Sequence, residues 1–242
     1  MSTSGAILLL SHGSRDPRAA GVVSDLVAAV ARGTGREVRA AHLSFSAPTP
    51  IVAFRQLAGD GFRAVRVVPL LFTPGYHLTH DVPLAVAASA VTSAMSVSVA
   101  PELLAGRGHQ RDLLLAALAD RLLQAGAGGH VDGLVLASAG SSSSQARKCV
   151  ESLVQDLERF HGVPVEPAFA SSGSPRPAQA LEALYDRRVR TPAVASLFVA
   201  AGRLSDSVAG ACADVPVAQP LGDSPAFVEL LVARAQVAFA SN

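Results

Sequence analysis

The sequence holds one lysine and two cysteines in 242 residues, no run of 18 or more apolar residues, and a net charge of only +1. Each shortage removes a class of function. The lone lysine, Lys148, lies in a predicted helix, so Schiff-base chemistry would rest on that one residue and is discounted. Cys149 and Cys212 are far apart and lack metal-type spacing, which argues against a structural zinc site built from cysteines. The near-zero charge, with no basic stripe interleaved with aromatics, argues against nucleic-acid binding. The mean hydropathy is positive, but without a long apolar run no membrane span is expected. The first residues show no basic region leading into an apolar run and a small-residue cleavage site. The expectation is therefore no signal peptide and a cytoplasmic protein.

Half of the residues are hydrophobic, enough for one large core or two small ones. They come in short runs, such as Ala6-Ile7-Leu8-Leu9-Leu10 and Val67-Val68-Pro69-Leu70-Leu71-Phe72, alternating with amphipathic stretches. That alternation predicts α/β architecture with buried parallel strands. Strands are expected at 6–11, 37–43, 64–72 and 95–100. Helices are expected from Asp16-Pro17 to near Gly33 or Gly35, then at 50–58, 82–91 and 109–124, with a loop at 73–80. Gly126-Ala127-Gly128-Gly129 breaks the pattern, and the same order restarts: strands at 132–138, 163–169, 191–199 and 214–218, helices at 143–160, 176–186, 203–212 and 225–239.

The restart reads as an internal duplication. At an offset of 127 residues Ser11-His12-Gly13-Ser14 meets Ser138-Ala139-Gly140-Ser141, Ser44 meets Ser171, and Pro48 meets Pro175; at 126, Leu71-Phe72 meets Leu197-Phe198 and His77-Leu78 meets Arg203-Leu204. The expected fold is two similar lobes, 1–125 and 126–242, each a four-stranded parallel sheet flanked by helices. In the second lobe Ala139 stands for His12, Arg203 for His77 and Asp206 for His80. A fold repeated without those histidines does not need them, so one histidine site per chain is expected, in the first lobe.

Open parallel sheets bind ligands beyond the carboxyl ends of their strands. His12 follows strand one, His42 and Ser44 close strand two on one face, and His77 and His80 lie just past strand three. Imidazole is a borderline ligand for Fe, Co, Ni, Cu and Zn, and it moves protons near neutral pH. His42 reads equally as a residue packed on the sheet. His77 and His80, three apart, share a face only if their segment is helical, and Pro74-Gly75 suggests a loop with one ligand at most. His109, His130 and His161 flank helices and are expected to be solvated. A histidine phosphatase would need an arginine directly before His12, where Ser11 stands.

The segments Leu8-Leu9-Leu10-Ser11-His12-Gly13-Ser14-Arg15-Asp16-Pro17-Arg18 and Val68-Pro69-Leu70-Leu71-Phe72-Thr73-Pro74-Gly75-Tyr76-His77-Leu78-Thr79-His80-Asp81-Val82-Pro83 together resemble the two motifs of the sirohydrochlorin chelatases of the CbiX type. The second half resembles the degenerate lobe of the long, fused members, and Pro220-Leu221-Gly222-Asp223-Ser224-Pro225 the segment before their last helix. The resemblance implies two lobes facing each other across a cleft, with ATP-independent insertion of Fe²⁺ or Co²⁺, Ni²⁺ being a further candidate, into sirohydrochlorin on the way to sirohaem or cobalamin. The metal is then substrate, and no organic cofactor is implied. His12 and His77 take the places of the family's metal-binding histidines, with His80 a third candidate ligand. Arg15, Ser44, Tyr76 and Arg203 are candidates for binding the polycarboxylate macrocycle, and Arg18 lies at the same rim. Short members often carry an acidic residue where Ser44 stands, and serine is not ionised at neutral pH; His42 is the neighbour that could substitute. That departure motivates the competing reading, a non-catalytic metal or tetrapyrrole carrier. The fused layout is compatible with a monomer.

Overall fold

A computed structural model describes residues 5–93, 95–128 and 131–236. The chain runs β1 (Ala6–Ser11), α1 (Pro17–Thr34), β2 (Val38–His42), α2 (Pro50–Gly59), β3 (Ala64–Pro69), a one-turn π-helix (His77–Asp81), α3 (Val82–Ser93), β4 (Ser96–Val99) and a 3₁₀ turn (Leu103–Ala105). It continues with α4 (His109–Gln124), β5 (Gly133–Gly140), α5 (Ser144–His161), β6 (Val165–Ser172), α6 (Pro177–Asp186), β7 (Pro192–Leu197), α7 (Arg203–Ala211) and α8 (Pro225–Gln236). Residues 237–239 of the last expected helix, and His130, lie outside the described residues. Among the described residues no helix is long and apolar enough to cross a membrane.

The local causes are legible in the sequence. Helix α1 starts where the Asp16 carboxylate accepts the backbone N–H of Arg18, with Pro17 at the first helical position. Val23, Leu26 and Val30 line its buried face, and Gly35 ends it in the left-handed region at φ 64°. The strand residues Ile7, Leu8 and Leu9 are fully buried. Since successive side chains point to opposite faces, both faces of the sheet are covered, as parallel sheets require.

Two parallel sheets result, one ordered β2-β1-β3-β4 and the other β6-β5-β7. The fourth strand expected at 214–218 is reduced to a single bridge, Val194 to Val217. Pro216 has no N–H to donate to a ladder, and pairing does not extend beyond that bridge.

By contact the chain divides into two compact units, Met1–Gly106 with Val228–Asn242, and Arg107–Phe227. The repeat boundary expected near 125/126 therefore differs from the unit boundary. Helix α4 packs within the second unit, and α8 from Val228 onward within the first. The first-unit core gathers Leu8, Leu10, Phe54, Leu57, Val67 and Met95. Helix α8 packs against α1, where Gly33 leaves room for Val232 (a Cβ on Gly33 would lie 2.6 Å from Val232 Cγ2), and buried Arg234 donates to the carbonyls of Pro101 and Glu102. The second-unit core gathers Val135, Ala137, Leu184, Val194, Phe198 and Val208.

Candidate metal centre

In the first sheet the connections leave β1 in one direction to β2 and β3 in the other to β4, so the order reverses between β1 and β3. A crevice opens at such a reversal, at the carboxyl ends of the strands. His12 follows β1 and His77 follows β3, so the two histidines flank that point.

The loops after β1 and β2 are tied together. Leu43 N–H donates to Ser11 O at 3.0 Å and Ser44 N–H to His12 O at 2.8 Å, continuing the strand pairing past the sheet edge. Ser46 Oγ donates to Ser14 O at 2.8 Å and accepts from Ser14 N–H at 3.1 Å. Gly13, at φ 90°, lets the two backbones approach: a Cβ there would lie 1.7 Å from the carbonyl oxygen of Ser44. No other residue fits between His12 and Ser14.

The imidazoles of His12 and His77 lie 4.1 Å apart between ring centroids, tilted by 59°. His77 Nδ1 is 2.6 Å from Asp81 Oδ2. With Nδ1–H donating to the carboxylate, the lone pair of His77 is left on Nε2, the tautomer a cation needs. This contact depends on a local departure from the expected loop at 73–80. Residues His77–Asp81 form a π turn, closed by Val82 N–H to His77 O, that runs directly into α3. Pro83 interrupts regular hydrogen bonding just after it. Single π turns of this kind recur at functional sites. His12 differs, because its Nδ1 is buried and has no hydrogen-bond partner among the described residues.

The remaining expected site residues separate. His80 is exposed, bonded through Nδ1 to Thr79 Oγ1 at 3.0 Å and stacked on Tyr76 at 4.5 Å and 8°. The described residues contain no cluster of three or more His, Cys, Asp or Glu arranged to hold a metal ion. Tyr76 is 66% exposed and meets His77 edge-on at 6.1 Å. Ser44 contributes its backbone to the loop pairing already described. His42 does not substitute for a carboxylate there: it is 8% exposed and bonded through Nδ1 to Ser11 Oγ at 2.7 Å, and burial holds its imidazole below the ordinary range. It is the sheet-packing histidine. Arg18 is engaged by Asp16 at 2.6 Å, Arg15 is exposed, and Arg203 is exposed at the start of α7 in the second unit. His161, expected to be solvated, is half-buried, with no partner for Nε2 among the described residues and its pKa lowered by burial.

Two participants went unread in the sequence. Asp81 lies four residues after His77, a spacing that matters only once the segment is known to be a helical turn. Phe45 follows β2 with its φ at 61°, a region few non-glycine residues occupy, and it is 60% exposed. Its ring is stacked on His12 at 5.7 Å and 16°, and Arg15 Cζ lies 4.9 Å from its centroid on the cation–π side. In a chain with 5% aromatic residues, a phenylalanine in Ser44-Phe45-Ser46 at a strand end was the available signal.

Two neighbouring imidazoles, one fixed by a carboxylate, suit a divalent cation of borderline softness and leave most of its coordination sphere open. A sirohydrochlorin cobaltochelatase from Methanococcoides burtonii is 32% identical over 84 residues, which span 34% of this chain and 64% of that protein. The structure of SirB from Bacillus subtilis with Fe³⁺ superimposes with a TM-score of 0.79 at 19% identity, covering 98% of both chains. SirB from Bacillus subtilis subspecies spizizenii in complex with cobalt gives 0.78 at 20% identity, over 96% of this chain and 94% of that one. The CbiX family model matches residues 6–125 and again 133–238, so both halves of the sequence are accounted for and the chain belongs to the CbiX family.

Proposed function

We propose that the protein inserts a divalent metal ion, Fe²⁺ or Co²⁺, into sirohydrochlorin without ATP, as a step toward sirohaem or cobalamin. The observation that carries this reading is the His12–His77 pair, 4.1 Å apart at the switch point of the sheet, with His77 oriented by Asp81. The activity in the name of the Methanococcoides burtonii relative and the two metals in the SirB structures support it.

In this mechanism the metal ion is a substrate. His12 and His77 hold it through nitrogen lone pairs while most of its coordination positions stay free for the macrocycle. A two-histidine set suits delivery better than storage, because each additional protein ligand would have to be displaced before the ring nitrogens could close on the ion. Asp81 fixes the His77 ring so that its lone pair stays on the site. As the ion transfers, two N–H protons leave the macrocycle; a histidine of the pair, its lone pair freed from the ion, accepts one, and the other passes to water. Tyr76, exposed beside His77, offers a flat apolar face to the ring system, and exposed Arg15 a guanidinium to its carboxylates. The backbone of Ser44 holds the His12 loop, so no carboxylate from strand two takes part.

The test is anaerobic incubation with sirohydrochlorin and either Co²⁺ or Fe²⁺, following the absorption of the free macrocycle against an enzyme-free control. Wild type should exceed the uncatalysed rate with at least one metal. His12→Ala and His77→Ala should each lower the enzymatic rate by about 100-fold or more, the order of effect seen when a directly participating group is removed. Macrocycle binding without acceleration for any divalent metal would replace this reading with that of a carrier.

A further inference from the structure

Four histidines gather at the carboxyl edge of the first sheet, and three have Nδ1 fixed by a side-chain oxygen: His42 by Ser11, His77 by Asp81 and His80 by Thr79. His12 has none. A histidine that binds a metal ordinarily donates its second N–H to an acceptor, which sets the ring plane and strengthens the ligand. Something else must set the plane of His12.

Among the described residues two aromatic rings lie against it. Phe45 lies 16° from parallel at 5.7 Å, within the range of offset stacking, and His77 lies 4.1 Å away, tilted by 59°. Phe45 is itself held from outside by the Arg15 guanidinium, 4.9 Å from its centroid. Burial does not explain Phe45, because 60% of it is exposed and its backbone occupies the left-handed region at φ 61°, which costs free energy for any residue with a side chain. A large apolar side chain in a costly conformation, covering an imidazole without an orienting hydrogen bond, has a positioning role rather than a packing one.

We infer that Phe45, backed by Arg15, is the positioning residue for His12, taking the place of the missing hydrogen-bond acceptor. This inference rests on the proposed role of His12 as a ligand to the metal substrate. Stacking fixes the ring without pulling on its N–H, so His12 is aimed but not strengthened. The two histidines are thereby unequal: His77 is held and made a better ligand by a carboxylate, while His12 is only held. A ligand of the second kind releases the ion more readily when the macrocycle nitrogens arrive.

The test measures Co²⁺ binding to the full chain by calorimetry and by the visible absorption of the bound ion, in wild type, Phe45→Leu, Phe45→Tyr, Arg15→Gln and His12→Ala. Phe45→Leu should weaken Co²⁺ binding about 3- to 10-fold, the range expected for loss of an aromatic pair. It should also change the absorption of the bound ion and lower kcat for insertion, with KM for the macrocycle unchanged. Phe45→Tyr, which keeps the ring, should match wild type, and Arg15→Gln should weaken binding about 2-fold. The melting temperature should not fall in the Phe45 and Arg15 variants, since an exposed side chain leaves no cavity behind. Unchanged Co²⁺ affinity in Phe45→Leu overturns the inference, whether KM for the macrocycle rises, which would make Phe45 a surface for the ring system, or stays constant. Failure of Phe45→Tyr to restore binding overturns it as well. His12→Ala separates the two levels. If it leaves Co²⁺ affinity intact, the reading of His12 as a ligand fails and takes this inference with it. If it weakens binding while Phe45→Leu does not, only the inference fails.

Discussion

The carboxyl edges of the two sheets are built on one backbone plan and carry different chemistry. In the first unit Gly13 stands at φ 90° against the carbonyl of Ser44, and in the second Gly140 stands at φ 90° against that of Ser172. His42 N–H donates to Pro48 O at 3.0 Å, and Phe169 N–H donates to Pro175 O at 3.0 Å. The helices that follow start alike, Ala53 N–H on Thr49 O and Ala180 N–H on Arg176 O, both at 3.0 Å. On this shared frame the first unit places His12, His77, Asp81, Phe45 and Tyr76. At the corresponding offsets the second has Ala139, Arg203, Ser207, Ser172 and Gly202. The frame forms equally well without imidazoles, so the histidine pair is not there to make the fold. Fold and site are separable here, and each can be perturbed without the other.

The largest expected effect comes from breaking the frame itself. Gly13→Ala puts a methyl group 1.7 Å from Ser44 O, in a region of φ that alanine resists, and should cost several kcal/mol of stability together with the site. Gly140→Ala, where the distance is 2.2 Å, should destabilise comparably yet leave Co²⁺ binding intact in the protein that remains folded. Chemical denaturation beside a Co²⁺ titration reads both. Equal loss of Co²⁺ binding in the two variants would mean that the site is not confined to the first unit.

A smaller effect should follow from giving the first unit the residue of the second. Asp81→Ser leaves the fold and removes the acceptor of His77 Nδ1–H, so Co²⁺ affinity should fall about 10- to 100-fold, the usual cost of losing an outer partner of a metal-bound histidine. A value within twofold of wild type would show that the π turn alone orients His77.

The smallest concerns His42, whose counterpart is Phe169. Burial lowers the pKa of His42 in the folded protein, so the folded state favours the neutral ring. Its contribution is complete above about pH 6.5, the ordinary value for a free histidine, and is lost as pH falls below that. His42→Phe should therefore flatten the decline in unfolding free energy between about pH 7 and pH 5. His161, lowered in the same direction, leaves a residual slope in both proteins. An identical pH dependence in wild type and His42→Phe would mean that His42 does not contribute to the acid sensitivity.

Much of this was written locally in the chain. The run at 6–11 and the first six residues of that at 64–72 became central strands because a continuous apolar segment satisfies a sheet covered on both faces, and Asp16-Pro17 began a helix because the cap and the missing N–H act within one turn. The repeat offset pointed to the candidate site by showing which residues the second copy does without. Those inferences depend on neighbours in sequence, or on a comparison of the sequence with itself. The tertiary structure decided the rest. Whether His77 and Asp81 meet depends on a π turn that propensity does not announce, and whether His42 is a ligand or a packed side chain depends on Ser11, 31 residues away. The ring over His12 belongs to another strand end, and the helix that packs on α1 comes from the far end of the chain. Such contacts join residues that no local period or spacing relates, and only the folded chain brings them together.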